Sequence, residues 1–136
     1  MSHSHVIVKT EKYISMPAHN RNLIDVELLK NNCAGDQSMM RELINLGLQS
    51  VSTSMTEAGT SLENDDWDKL ARVLHKLRPV LCYCGIMSLT DELLLLEGNA
   101  RGKKDLPELA ARMKGMMDIL QQVHEEMEQQ LSSLSG

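Results

Sequence analysis

His75 lies in a stretch of sequence that is both basic and helical in its pattern. From Lys69 to Arg78 the chain has four basic residues and no acidic one, although its formal net charge is −5. On a helix with about 100° between successive residues, His75 lies roughly 120° from the centre of the apolar stripe and therefore faces solvent. An exposed imidazole among cations is suited to meet an anionic group.

The apolar stripe of this helix predicts which side packs against a core. It consists of Trp67, Leu70, Leu74, Leu77 and Leu81, which have the spacing of a helix with one buried face. Five other residues share the flank of His75, each within about 60° of it: Asp68, Arg72, Arg78, Pro79 and Cys82. The helix must therefore be held by neighbouring elements that cover only its apolar side.

The composition favours an all-helical domain. Hydrophobic residues make up 42% of the 136 residues, but aromatic residues only 2%, and Phe is absent. A core of Leu, Met, Ile, Val and Ala, with few β-branched or aromatic runs, indicates helices rather than strands. The length is sufficient for one domain with a real core and hardly for two.

Amphipathic periodicity and cap residues predict five helices. They run from Leu23 or Asp25 to about Asn32, from Asp36 over about 27 residues, from Asn64 to about Cys84, from about Met87 to Arg101, and from Asp105 to Leu134. Four long helices joined by short turns predict an all-α, antiparallel up-down four-helix bundle with a short additional N-terminal helix. Residues 1–22 are expected to be a flexible extension, and residues 23–136 to form the bundle.

Several classes of enzyme and metal protein lack the residues that they need here. The sequence has no glycine-rich nucleotide-binding motif and no G-x-S-x-G motif, and no Glu-x-x-His pairs fall on two different helices. Only His75 and His124 lie within the predicted bundle helices. The spacing of Cys82 and Cys84 points their sulfurs to different sides of a helix. We therefore expect no metal site.

The remaining features concern location. Cys33, Cys82 and Cys84 are an odd number of cysteines without metal-site spacing, which favours reduced thiols and a cytoplasmic protein. No apolar run is long enough to insert into a membrane, and the N-terminus lacks a signal-peptide pattern. The acidic balance argues against nucleic-acid binding.

Two short motifs resemble those of the histidine-containing phosphotransfer (Hpt) domains of phosphorelays. That family's pattern centres on His-x-Leu-[Lys/Arg]-Gly-Ser, followed ten residues after the histidine by Gly-x-x-x-Leu. This chain reads His75-Lys76-Leu77-Arg78-Pro79-Val80 and, in register, Gly85-Ile86-Met87-Ser88-Leu89. Gly35-Asp36 and Asp65-Asp66-Trp67 also look like family features. The resemblance covers roughly residues 23–134.

The resemblance implies a role for each residue of the motif. His75 would take a phosphoryl group from the aspartate of a response-regulator receiver domain and pass it on. Arg78 would neutralise phosphoryl oxygens, and Arg72, Lys76, Pro79 and Cys82 would belong to the receiver-docking surface. The expected partners are receiver domains, with a hybrid sensor kinase as a further one.

The same resemblance implies that the chain is a phosphoryl carrier rather than an enzyme. Hpt domains neither bind ATP nor phosphorylate themselves, which agrees with the missing nucleotide motifs. No cofactor is expected on this chain, because the receiver supplies the Mg²⁺.

The chain departs from the family pattern at two positions. Pro79 replaces the usual Gly, and its ring cannot donate to the carbonyl of His75 and crowds it, so a bend is expected. Val80 replaces a small polar Ser, which removes any hydrogen bond from that position. These changes concern rates and partner choice more than the fold.

Other readings of the chain stay open at this point. His75 is by its position alone compatible with a surface histidine that has no task. The bundle is also compatible with an adaptor that docks receiver domains or other helices without transferring phosphate. A helical enzyme or metal-binding bundle is a third class, for which candidate residues are lacking.

Overall fold

The computed structural model describes residues 22–135, and within this range the regular structure is entirely helical. The five helices are α1 (Val26–Asn32), α2 (Gln37–Glu63), α3 (Trp67–Tyr83), α4 (Thr90–Gly102) and α5 (Leu106–Ser135). The predicted fold class is confirmed. The predicted extension, residues 1–22, lies outside the described residues except for Asn22.

The four long helices form an antiparallel bundle in which α3 packs between α2 and α4, and α5 packs against both α2 and α4. Along α3, Asp68, His75 and Cys82 contact in turn Lys103, Glu97 and Thr90 of α4. The partner numbers fall as the α3 numbers rise, so these two helices run in opposite directions. Consecutive helices joined by short connections are expected to pack in this way.

Aspartate residues begin the first three helices. Asp25, Asp36 and Asp66 are the N-cap residues of α1, α2 and α3, and each carboxylate accepts a hydrogen bond from a backbone N–H of the first turn. The prediction that Asn64 caps α3 is wrong: Asn64 ends α2, and Asp65 takes a left-handed conformation with φ 52°. The chain needs this left-handed residue to leave one helix before the next cap, which moves the cap to Asp66.

The connection between α3 and α4 is longer than predicted. Gly85 stops α3 with φ 89°, as the sequence indicates, but α4 begins at Thr90 rather than near Met87. Ile86 and Leu89 are both buried and close the end of the bundle. Burying two large aliphatic side chains stabilises the fold by more than one additional helical turn would.

The core is a continuous cluster of aliphatic side chains from all five helices and their connections. Gly47 lies inside it, where an added Cβ would come within 2.8 Å of both the Cys84 sulfur and the terminal methyl group of Met127. The absence of a side chain at Gly47 therefore lets α2 approach α3 and α5 closely. This compensates for the low helix propensity of glycine.

The start of the described chain is fastened across one end of the bundle. The N–H groups of Leu23 and Ile24 donate to the Glu126 carboxylate on α5, at 2.8 and 3.1 Å. The Asp25 N–H donates to the Gly85 carbonyl at 2.8 Å. These bonds set α1 beside the C-terminal end of α3.

None of the helices in the described range is both long enough and apolar enough to cross a bilayer.

Candidate functional site

His75 lies on the exposed face of α3, near the middle of the helix. Its side chain is 60% exposed, as the periodicity predicts, while Leu74 and Leu77 on either side of it are buried in the core. Two buried neighbours on a capped helix fix the backbone beneath the imidazole. The ring therefore projects from a rigid base rather than from a loop.

The ring is anchored by a residue that the sequence analysis did not identify. The Nδ1 atom of His75 lies 3.1 Å from Oε2 of Glu97, on α4. The Glu97 side chain is only 9% exposed, so an exposed imidazole is bonded to a buried carboxylate. No acidic residue is close to His75 in the sequence from Lys69 to Arg78, but Glu97 is close to it in the folded protein.

The hydrogen bond to Glu97 selects the tautomer of the neutral ring. A carboxylate only accepts hydrogen bonds, so the proton between the two groups belongs on Nδ1. The other ring nitrogen, Nε2, then carries the lone pair. Glu97 thus orients the imidazole and leaves Nε2 as its nucleophilic atom, in the way that outer partners orient histidines at metal sites.

Two arginines surround the same carboxylate. Arg101, one helical turn after Glu97 on α4, donates to Oε2 at 2.9 Å, and an NH1 atom of Arg78 lies 3.7 Å from Oε1. Burial acts to raise the pKa of Glu97, but the hydrogen bond from Arg101 and the charges of His75 and Arg78 outweigh it and lower that pKa. Glu97 is therefore ionised at neutral pH.

Of the other predicted site residues, three lie on the outer surface and one does not. Arg72 and Pro79 are exposed on the same side of α3 as His75. Lys76 is also exposed, but it lies about 100° around the helix from His75, toward α2. Cys82 is half-buried, with its sulfur 3.6 Å from the hydroxyl oxygen of Thr90 at the start of α4. The helical spacing predicted that Cys82 shares the exposed flank of His75, but the packing of α4 covers part of the Cys82 side chain.

Helix α3 is continuous through Pro79 and ends at Tyr83. Because proline has no N–H, the carbonyl of His75 lacks its usual partner four residues later. Val80, the other departure from the family pattern, is half-buried and packs against the core.

Beyond Pro79 the exposed face of α3 leads to an apolar groove. It has a volume of ≈ 410 Å³ and is lined by Asn32, Cys33, Met39, Glu42, Leu43, Leu46 and Tyr83. Met39, Leu46 and Tyr83 are large apolar side chains that remain exposed. Tyr83 is eight residues after His75, about 12 Å along the helix and about 80° around it, so the groove begins at the end of the exposed face of α3.

Within the described residues, no group of three or more His, Cys, Asp or Glu side chains is arranged to hold a metal ion.

A comparison with known families matches the Hpt-domain family over residues 42–135. The matched region includes α3, α4, His75 and Glu97. The chain belongs to the Hpt domain family. Searches of curated proteins and of solved structures gave no match to the chain.

Membership explains the arrangement of this Hpt domain at a general level. Hpt domains are phosphoryl carriers in phosphorelays, act without kinase activity of their own, and interact with the receiver domains of two-component systems. An exposed, oriented imidazole is the group that such a carrier requires.

Proposed function

We propose that this Hpt domain accepts a phosphoryl group on Nε2 of His75 from the phospho-aspartate of a response-regulator receiver and passes it to another receiver. The observation that carries the proposal is the bond between the exposed His75 ring and the buried, ionised Glu97. Arg101 and Arg78 already offset the buried charge of Glu97, so the carboxylate does not need the histidine as a partner, and the bond between them supports an orienting role toward the ring.

The proposed step exchanges one phosphorus bond for another. The Nε2 lone pair attacks phosphorus in line, the bond from phosphorus to the aspartate oxygen breaks, and that carboxylate leaves with the electron pair. No proton has to move during the attack, because Nδ1 already carries the proton and Nε2 carries none. The ring becomes a cationic phosphoimidazolium, which the Glu97 carboxylate stabilises through Nδ1.

Positioning and charge are the contributions that we assign to this chain. A rigid helix and one hydrogen bond hold the imidazole, which lowers the entropic cost of aligning it with the phosphoryl group. Arg78 and Arg101 bring positive charge to the same place. The Mg²⁺ and the remaining catalytic groups are proposed to come from the receiver rather than from this chain.

The docking surface is proposed to extend from His75 along α3 to the apolar groove. Arg72, Lys76 and Pro79 are exposed within one helical turn of His75 along α3, and Cys82 lies at the edge of this surface. The positive end suits the acidic phosphorylation site of a receiver, and the exposed Leu46 and Tyr83 suit an apolar face. A receiver of a hybrid sensor kinase is one such partner.

We propose a cytoplasmic location, where receivers are found. The three cysteines are free thiols in the structure, as expected in a reducing compartment.

The test is transfer from a phosphorylated receiver. The chain is mixed with receivers carrying ³²P-labelled aspartyl phosphate, and label on this chain is analysed for acid lability, while a parallel unlabelled sample is analysed by ³¹P NMR to assign the phosphorylated nitrogen. Label on Nε2 that disappears in His75→Gln supports the proposal, with circular dichroism as the folding control. A receiver that binds but transfers no label to wild-type protein would support the adaptor function instead and overturn the proposal.

A further inference from the structure

The two arginines at Glu97 face different oxygens of its carboxylate and differ in exposure. Arg78 is 21% exposed and faces Oε1, whereas Arg101 is 54% exposed and bonds Oε2. The resemblance to the family motif implies that the residue at the position of Arg78 contacts the phosphoryl group. We propose that Arg101 is the cation that meets the phosphoryl group, and that Arg78 instead holds Glu97 in place; this rests on the proposed function of His75.

Arg78 is poorly placed to leave Glu97. The Oε1 atom that it faces is fully buried and accepts no hydrogen bond within the described part of the chain. At 3.7 Å, the guanidinium of Arg78 provides charge to that oxygen. If Arg78 turned toward a phosphoryl group on the surface, Oε1 would keep its buried charge without that compensation, which is costly. Arg78 is therefore a positioning residue that acts through Glu97.

Arg101 has both the access and the proximity that Arg78 lacks. It bonds the same carboxylate oxygen as Nδ1 of His75, and the two bond lengths of 2.9 and 3.1 Å place its terminal nitrogen no more than about 6 Å from Nδ1, so the guanidinium lies beside the ring that would carry the phosphoryl group. The bond to Glu97 uses one terminal nitrogen, and the guanidinium has further N–H donors on its other nitrogens. Arg101 can thus bridge Glu97 and a phosphoryl oxygen.

A bridging cation is needed because phosphorylation brings negative charge close to Glu97. The phosphoryl group on Nε2 and the carboxylate at Nδ1 are separated only by the imidazole ring, so they repel each other. A guanidinium that contacts both offsets the repulsion and forms a charge-assisted bond to the phosphoryl oxygens. Arg101 satisfies this requirement without uncovering the buried side of Glu97.

The experiment measures uptake from phosphoramidate, a small phosphoryl donor, so that receiver docking does not enter the rates. Arg101→Ala and Arg78→Ala are each made in the wild-type chain and in a Glu97→Gln chain, and phosphohistidine is followed by ³¹P NMR. We expect Arg101→Ala to slow uptake roughly tenfold in both backgrounds, and Arg101→Lys to recover part of the rate. Arg78→Ala should slow uptake in the wild type but less than about twofold in Glu97→Gln, because its target is then already neutral.

The outcomes separate this inference from the proposed function. If wild-type chain forms phosphohistidine but Arg101→Ala matches it, only the assignment of Arg101 is overturned. The assignment also falls if Arg78→Ala keeps its full effect in Glu97→Gln, since Arg78 would then act directly. If the wild type forms no phosphohistidine from phosphoramidate or from any phosphorylated receiver, the proposed function fails and the inference with it.

Discussion

The described bundle contains two histidine–glutamate pairs in which burial is reversed. His75 is largely exposed and bonds the buried Glu97 on a different helix, at 3.1 Å. His124 is only 23% exposed and lies 3.6 Å from Glu128, which is 61% exposed and one turn along the same helix. In both pairs Nδ1 lies near a carboxylate, but the exposed member is the histidine in one pair and the glutamate in the other.

The difference shows what an oriented reactive ring requires. A buried carboxylate has few conformations available, and Glu97 is further held by two arginines, so it fixes the ring that bonds to it. An exposed carboxylate such as Glu128 is screened by water, and an ion pair of this kind contributes little to stability. A reactive imidazole must be accessible to solvent, and the carboxylate that orients it must be held rigidly.

The largest expected effect is the loss of phosphoryl transfer when His75 is replaced, with no loss when His124 is replaced. His75→Gln should abolish phosphoryl uptake while the bundle stays folded, because an exposed side chain contributes little to stability. His124→Gln is the matched control and should leave uptake unchanged. Both are measured with a phosphorylated receiver, and uptake that persists in His75→Gln would remove the basis of the comparison.

The second expected effect concerns the two carboxylates. Glu97→Gln keeps an oxygen that can accept from Nδ1 but removes the charge that stabilises the phosphoimidazolium. A charge-assisted bond of about 1.5–3 kcal/mol corresponds to uptake slower by roughly ten- to a hundredfold. Glu128→Gln should have no effect on uptake. Equal rates for Glu97→Gln and wild type would show that the carboxylate does not act on the reacting ring.

The third expected effect is on stability, and it depends on pH. The folded protein lowers the pKa of Glu97 below its ordinary value of 4.5, so ionised Glu97 stabilises the fold above that pH, and the stabilisation is lost as the pH falls through the lowered pKa. Glu97→Gln should therefore reduce the free energy of unfolding at about pH 7, and the difference from wild type should shrink at about pH 3.

Urea denaturation at the two pH values measures this difference. Glu128→Gln, at an exposed position, should stay within about 0.5 kcal/mol of wild type throughout. A loss in Glu97→Gln that is as large in acid as at neutral pH would mean that shape rather than charge makes Glu97 important.

The sequence was sufficient to predict the fold and the outward direction of His75, for local reasons. Cap residues such as Asp36 and stops such as Gly85 act within a few positions of themselves, and the leucine stripe of α3 repeats with the helical period. These signals are contained in short windows. The boundary errors at Asn64 and Met87 arose where a connection had to satisfy both a left-handed turn and the closure of the core.

The partner of His75 could not be predicted in the same way. Glu97 is 22 positions away from His75, on a different helix. Leu93, Leu96, Glu97 and Ala100 have the spacing of one buried helix face, so the periodicity could have indicated that Glu97 is buried, but it does not indicate which side chains meet the carboxylate. Only the packing of α3 against α4 brings the carboxylate to the ring and both arginines to the carboxylate.

The smallest expected effect tests whether the backbone of α3, rather than Glu97, sets the pose of His75. Pro79→Gly restores the residue usual in the family and a backbone N–H that can bond the His75 carbonyl. The regained bond is worth about 1 kcal/mol, and glycine is less unfavourable than proline inside a helix. The greater backbone freedom of glycine in the unfolded chain opposes this gain, so we expect the free energy of unfolding to rise by at most about 2 kcal/mol.

Because Glu97 holds the imidazole from a different helix, we expect Pro79→Gly to change the rate of uptake by less than about threefold, well below the effect of Glu97→Gln. Pro79→Ala is the matched control, since it restores the N–H without the flexibility of glycine. Uptake from a phosphorylated receiver measures both variants. If both variants slow transfer as much as Glu97→Gln does, the backbone at Pro79 orients the ring. The difference between His75 and His124 would then come from the helix that carries each histidine rather than from the buried carboxylate.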